Sequence, residues 1–430
     1  MSRRPTSFRR YVTRTIEFLV LLPVLGVASI SYSQDAVRPS LAGEEAAEAR
    51  EQDVSRIPYN LELGPVRFRL SATVGVEYND NVNYAEVGKQ SDWVFTPNVN
   101  VDAIWPITQL NTLRLDLGIG YGIYLDHSNY DTRGVLIAPN SQIAFDIFVG
   151  DFRINIHDRM SLQQDPIAEG ALSNTANYGR FENTGGVSVL WDLNKILLTV
   201  GYDHYTFVST TSAFDYLNRN AEELSGTGSY VITPTMRVGV EGNAVFTYYN
   251  QSVLNDSTDY SVGGFGETEI TNNLKLRVAG GYQAISFDHD FVDFFGVDFR
   301  DHGDLSTYYV NGVATHRLNA MISQSLSAGH ENQLGVNSNY ITLNYVRHTI
   351  NWNVFRGTLL STEFFFEDAK ESGGVIDEHF QRYGGAATLG YQLTPHVTLG
   401  LRYQYTTKDS DVALRDYDQN RISLDGTYSF

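Results

Sequence analysis

Arg67, Arg69, Arg114, Arg153, His157, Arg159, Arg237, Lys275, Arg277 and Arg402 each fall on the polar side of a short segment in which apolar and polar residues alternate. Gathered on one wall, such side chains would form a ring of positive charge that draws anions in, as charged rings do in channels. Carboxylates at Asp102, Asp116, Asp146, Glu241, Glu267 and Glu269 share those faces, so the alternative is local pairing that only orders water. The sequence leaves both open.

Other chemistry is poorly served. His127, His204, His289, His302, His330 and His379 lie in or beside polar loops, and neither a GxSxG nor an HExxH string occurs. Asp203-His204 followed by Ser209 is the nearest hydrolytic constellation, but neighbours on a strand point to opposite faces. We expect no enzyme, no bound cofactor and no metal. The acidic loop Phe287–Asp304 lacks the liganding spacing of a calcium loop. It is expected either to stay solvated or to fold inward as a constriction. Cysteine is absent, which excludes disulfides and thiol chemistry, and a net charge of −19 argues against nucleic acid as a partner.

The elements that would position the basic residues are strands. In Phe68 to Tyr78 (FRLSATVGVEY), Leu113 to Tyr121 (LRLDLGIGY), Met236 to Val240, Leu274 to Val278 and Val397 to Tyr405, the alternation has a period of two. One face carries charges and the other Leu, Val, Ile, Phe and Tyr. Connections alternate too. Short turns fall near Gly150-Asp151, Asp192–Lys195, Thr233–Thr235, Thr271–Asn273, Arg317–Asn319 and Thr394–His396. Longer loops fall at Asn79–Ser91, Asp126–Arg133, Asp165–Arg180, Ser209–Asn220, Asp288–Gly303 and Asp368–Asp377. Loop length segregated by end marks a transmembrane antiparallel β-barrel whose greasy face meets lipid and whose polar face lines a wet lumen. About eighteen strands are expected, with sixteen possible, because alternation is weak in Ser225–Ile232, Tyr308–Thr315 and Met321–Gly329. With that many strands the bore is too wide for side chains alone to fill.

The aromatics Trp93, Trp105, Tyr121, Tyr124, Tyr202, Tyr248, Tyr249, Tyr282 and Tyr405 sit near strand ends, as membrane-interface girdles require. The last strand alternates to the end of the chain, with Tyr428 and Phe430 on its apolar face. That pair is expected to serve as the signal read by barrel-assembly machinery. At the other end, five arginines precede the apolar stretch Phe18 to Ile30, so residues 1–33 are expected to be a signal peptide. Residues 34–65 would form a flexible acidic periplasmic lead and residues 66–430 the barrel.

Gly75-Val76-Glu77-Tyr78-Asn79-Asp80-Asn81-Val82, with Ser91-Asp92-Trp93 and Pro97 following, resembles the first strand and loop of a family of outer-membrane β-barrel porins associated with exopolysaccharide biosynthesis clusters. The resemblance implies the same fold over residues 66–430, no catalytic motif, and an anionic polysaccharide as a reasonable cargo. The expected function is an outer-membrane channel passing solutes or such a polymer. Its partners would be outer-membrane lipid, the assembly machinery and exopolysaccharide export components. The alternative is a non-conducting structural or adhesive barrel whose outer loops bind a ligand.

Overall fold

The computed structural model describes residues 59–108, 110–294 and 296–430; the expected signal segment and the lead as far as residue 58 lie outside the described residues. In chain order the strands are β1 (Leu61–Leu63), β2 (Val66–Asn79), β3 (Asp92–Pro106), β4 (Thr112–Gly120), β5 (Ile123–Tyr124), β6 (Leu136–Val149), β7 (Phe152–Gln163), β8 (Arg180–Asp192) and β9 (Ile196–Ser209). They continue as β10 (Arg219–Thr233), β11 (Met236–Tyr249), β12 (Ser257–Thr271), β13 (Leu274–Phe287), β14 (Phe291–Phe294), β15 (Val297–Arg300) and β16 (Asp304–Arg317). The last six are β17 (Ile322–Leu334), β18 (Tyr340–Phe355), β19 (Thr358–Glu371), β20 (His379–Thr394), β21 (Val397–Ser410) and β22 (Tyr417–Ser429).

Each long strand pairs antiparallel with its sequence neighbour, and β2 pairs with β22 from Ser71↔Ser429 to Asn79↔Arg421. With β1, β5 and the separate β14–β15 hairpin set aside, eighteen strands close into a barrel. Closure leaves no free edge to be satisfied in lipid. The three weakly alternating stretches lie in β10, β16 and β17, apart from Met321, which precedes β17. Ser225-Gly226-Thr227-Gly228-Ser229 of β10 shows why: small residues on both faces erase the contrast, while the ladder to β9 and β11 stays in register.

The chain leaves the barrel through tight turns on one side, several of which need a left-handed residue, such as Gly150 (φ 59°), Asn194 (φ 72°) and Gly357 (φ 78°). Long connections leave on the other. Two loops the alternation did not signal, 250–256 and 335–339, join this outer set, as does 411–416. Strand β19 runs on to Glu371, so the expected loop start at Asp368 is still strand.

Face assignment follows register. Val74, Val240 and Leu424 lie on the outer surface, each at least half exposed, as apolar residues facing acyl chains must be. Trp93, Trp105, Tyr202, Tyr248 and Tyr282 are also exposed on that side. Two expected girdle residues point the other way. Tyr124 pairs with inward-facing Val94, and Tyr249 lies opposite inward-facing Arg219, whose guanidinium sits 5.7 Å from its ring. At the very end of a strand, position alone does not fix the face.

Candidate functional site

The nine residues expected to ring the inner mouth all project into the lumen, and most meet a carboxylate there. Arg69 lies 2.5 Å from Asp102 and Lys275 3.0 Å from Glu269, each across a directly paired position. Arg237 pairs likewise with Glu267. Arg277 reaches Glu241 at 2.8 Å and Arg114 reaches Asp146 at 3.1 Å. Arg67 stands 3.9 Å from Glu62 and over the Tyr59 ring, while Arg153 lies over Phe148. Arg159 donates to Gln142 and Arg402 to Gln404. Opposite charges facing each other across a ladder attract locally and project little field into the bore.

Beside this ring, the wall from β4 to β9 carries a buried polar chain. Arg114 donates to Asp146, Asn155 donates to the other Asp146 oxygen at 2.7 Å, and His157 lies 2.7 Å from both Asn155 Oδ1 and Asp203 Oδ1. His157 is on β7 and Asp203 on β9, so the contact spans β8. Gly186 makes that possible: a Cβ built there would lie 2.1 Å from Asp203 Oδ1. Asp203 is therefore committed inward, while His204 faces outward to Glu222 at 3.0 Å. The two do not cooperate, and Ser209 donates to backbone carbonyls of Gly179 and Thr211.

The opposite wall is organised differently. Sequence reasoning missed its cations: Arg347, Arg382, Lys408, Arg415 and Arg421. Glu367 bridges Arg347 (3.2 Å) and Arg382 (2.6 Å). Glu378 bridges Lys408 (2.8 Å) and Arg415 (2.9 Å), and the side chains of Glu378 and Lys408 are wholly buried. Each cation on the strands also lies over an aromatic ring, Lys408 over Phe380, Arg382 over Phe365 and Arg347 over Tyr345. These residues sit near the outer ends of their strands, away from the tight turns where the expected ring was sought.

What holds this wall to the rest is the segment 164–179 between β7 and β8. On the shorter way round the barrel, β6, β4, β3 and β2 separate β7 from β22, so a segment touching β20–β22 crosses the bore. Arg421 of β22 grips Asp165 at 2.7 Å and 3.2 Å. Arg382 donates to the Ile167 carbonyl at 2.7 Å, Arg415 donates to the Ala171 carbonyl, and Lys408 reaches the Ser173 hydroxyl at 3.2 Å. Tyr84, in the loop after β2, donates its hydroxyl to Asp165 at 2.5 Å. Burial pushes that phenol well above its ordinary range, so it stays a donor. Burial also works to raise Asp165, but Arg421 outweighs it and holds the carboxyl below the usual carboxylate range.

Three non-glycine residues of the outer loops with positive φ meet at this crossing. The Asn174 amide (φ 58°) donates to the Tyr84 carbonyl (φ 51°), and its side chain donates to the Leu414 carbonyl (φ 66°). Asparagine tolerates that conformation, whereas Tyr and Leu are strained in it by about 1–2 kcal/mol each.

Above this strap, segment 164–179, the outer loops close into an apolar cluster. Leu172 and Tyr178 from the strap pack with Leu217, Leu254, Val292 and Val336 from four other loops, all buried. The acidic loop contributes through its β14–β15 hairpin, folding over the mouth with Val292 beneath it. Each fully buried Leu or Val stabilises the lid by about 1.5–3 kcal/mol. A cavity of about 330 Å³ lies beside the strap, lined by Ser173, Asn174, Asn177, Phe214, Asn337 and Arg415 among others.

A family model described as "Putative beta-barrel porin 2" matches residues 62–430. No curated protein matches the chain in sequence. Among solved structures, Pseudomonas aeruginosa OccK2 (OpdF) in complex with glucuronate is similar at 11% identity and a TM-score of 0.48, over 86% of this chain and 99% of that one. Acinetobacter baumannii OccAB3 is similar at 11% identity and 0.46, covering 86% and 100%. A BenF-like porin from Pseudomonas fluorescens Pf-5 is similar at 11% and 0.47, covering 84% and 99%.

Proposed function

This chain belongs to that family of β-barrel porins of the bacterial outer membrane, and from that premise we propose that it is a strap-gated channel for anionic solutes or an anionic exopolysaccharide. The observation that carries the reading is the one-sided lumen wall of β18–β22, where Arg347 and Arg382 share Glu367, Lys408 and Arg415 share Glu378, and Arg421 and Arg402 lie below them, so that cations exceed the carboxylates that bridge them. Positive charge in a low-dielectric bore concentrates anions. The paired part of the inner-mouth ring, Arg69, Arg114, Arg237, Lys275 and Arg277, would act as a neutral, hydrated vestibule that adds little selectivity of its own. Reversal potentials across planar bilayers in a salt gradient test the reading. Anion preference supports it, and clear cation preference removes it.

The packed apolar lid favours a second reading, a non-conducting barrel whose outer loops bind a ligand. Persistent electrical silence, including after the strap is cut, would select it. Tyr428 and Phe430 are exposed on the outer surface in edge-to-face contact at 5.2 Å. That placement suits recognition by assembly machinery. Replacing Phe430 with Ser should lower the amount of folded barrel in outer membranes without altering the conductance of what does assemble.

A further inference from the structure

We propose that the lumen wall of β20–β22 is a binding site for a chain of carboxylates, and that segment 164–179 occupies it as an internal stand-in which such a ligand displaces. The inference rests on the channel reading above and names its cargo chemistry.

The cations form a staircase. Arg382 and Lys408 face each other as paired residues, Arg421 lies opposite Gln404, and Arg402 lies opposite Ser423. From Lys408 down to Arg402 the strand descends six residues, about 20 Å at about 3.3 Å per residue. Arg415 continues the line upward from the loop after β21. Four of these cations are met by oxygens of one short segment, which turns through a single 3-10 turn at Pro166–Ala168: Asp165 on Arg421, the Ile167 carbonyl on Arg382, the Ala171 carbonyl on Arg415 and the Ser173 hydroxyl on Lys408.

Only the first of those oxygens belongs to a carboxylate. The other three are neutral acceptors, whose bonds to these cations are charge-assisted through the donor alone, whereas a carboxylate adds an opposite charge and can bind a guanidinium with two parallel hydrogen bonds. A polymer carrying a carboxylate on each unit would therefore replace neutral partners with charged ones at three steps and match the fourth, sharing Arg382 with Glu367 and Lys408 and Arg415 with Glu378. The strained contacts at Tyr84 and Leu414 would be relieved as the strap leaves. Burial of Leu172 and Tyr178 in the lid opposes release, so the exchange is a balance that ligand tips.

The test uses the full-length protein in liposomes. Because the chain has no cysteine, Ala176→Cys places a single thiol in the strap at a buried position, and its alkylation rate reports release. A galacturonate trimer should accelerate alkylation about tenfold, the scale of an ordinary coupling between sites, and maltotriose should not. Asp165→Asn should raise the rate without ligand, and Arg382→Gln should blunt the response to the trimer. No acceleration by the trimer, or equal acceleration by both sugars, overturns the proposal; Thr175→Cys gives the same reading if the first thiol disturbs folding. Reversal potentials on the same preparation separate the two layers. Acceleration without anion-selective current keeps the stand-in and sinks the channel reading, whereas anion-selective current without acceleration does the reverse.

Discussion

The two sides of the lumen spend their charge differently. From β4 to β9, Arg114, Asp146, Asn155, His157 and Asp203 satisfy one another within the wall, and the barrel would keep that arrangement whatever the loops did. On β18–β22, Arg382, Lys408, Arg415 and Arg421 take part of their partners from a segment that crosses the bore. Local pairing makes a rigid wall. Pairing across a gap makes a wall whose state depends on where the strap is. Charge count alone does not distinguish them; the ownership of the partner does.

The comparison breaks most sharply at Glu378. Glu378→Gln leaves Lys408 and Arg415 buried without their carboxylate, a loss of about 3–5 kcal/mol for one side of a buried pair. Hydrogen exchange should then rise across 164–179 and the outer loops while β4–β9 stays protected. Uniform loosening of both walls would deny the division.

The opposite wall breaks at Gly186. Gly186→Ala forces a methyl against Asp203 Oδ1 and separates it from His157, at about 1–3 kcal/mol for overpacking. The temperature at which the folded band is lost on gels should fall, with alkylation of the strap unchanged.

Acid sharpens the comparison more gently. Burial works to raise Glu378, but Lys408 and Arg415 outweigh it, and Asp165 is held low by Arg421. Groups with depressed folded values contribute stability above their unfolded values, near pH 4, and lose it as pH falls through the folded ones. Asp165 keeps 39% of its side chain exposed, so its share is small. The strap should loosen only below about pH 4, read as faster proteolysis within 164–179; loosening on raising the pH instead would reverse the sign.

The smallest effect belongs to the inner ring. Lys275→Gln removes an exposed pair with Glu269 and should change stability by less than about 1 kcal/mol, with reversal potential nearly unchanged.

Much of this molecule was legible beforehand, for a physical reason. A strand between lipid and water must alternate, and Leu113 to Tyr121 shows it residue by residue. Where both faces are small, as at Ser225–Ser229, the signal vanishes although the strand does not. The site was less legible. The basic residues near the tight turns stood out because they line the polar faces of cleanly alternating strands, yet most of them proved to be locally neutralised. Arg382, Lys408 and Arg421 lie on equally alternating strands, but their importance comes from residues more than two hundred positions away in Asp165 to Ser173. No local pattern encodes that meeting. The crossing of 164–179 was anticipated only as a long loop, and the acidic loop was expected either to stay solvated or to fold inward as a constriction.

Single-channel recording in planar bilayers of the intact protein beside a variant with residues 166–177 replaced by a short Gly-Ser linker tests the strap most directly. A low or intermittent conductance in the intact barrel and a several-fold larger, steady, anion-preferring conductance in the variant is the predicted result. Equal conductances, or a larger one without anion preference, would contradict it.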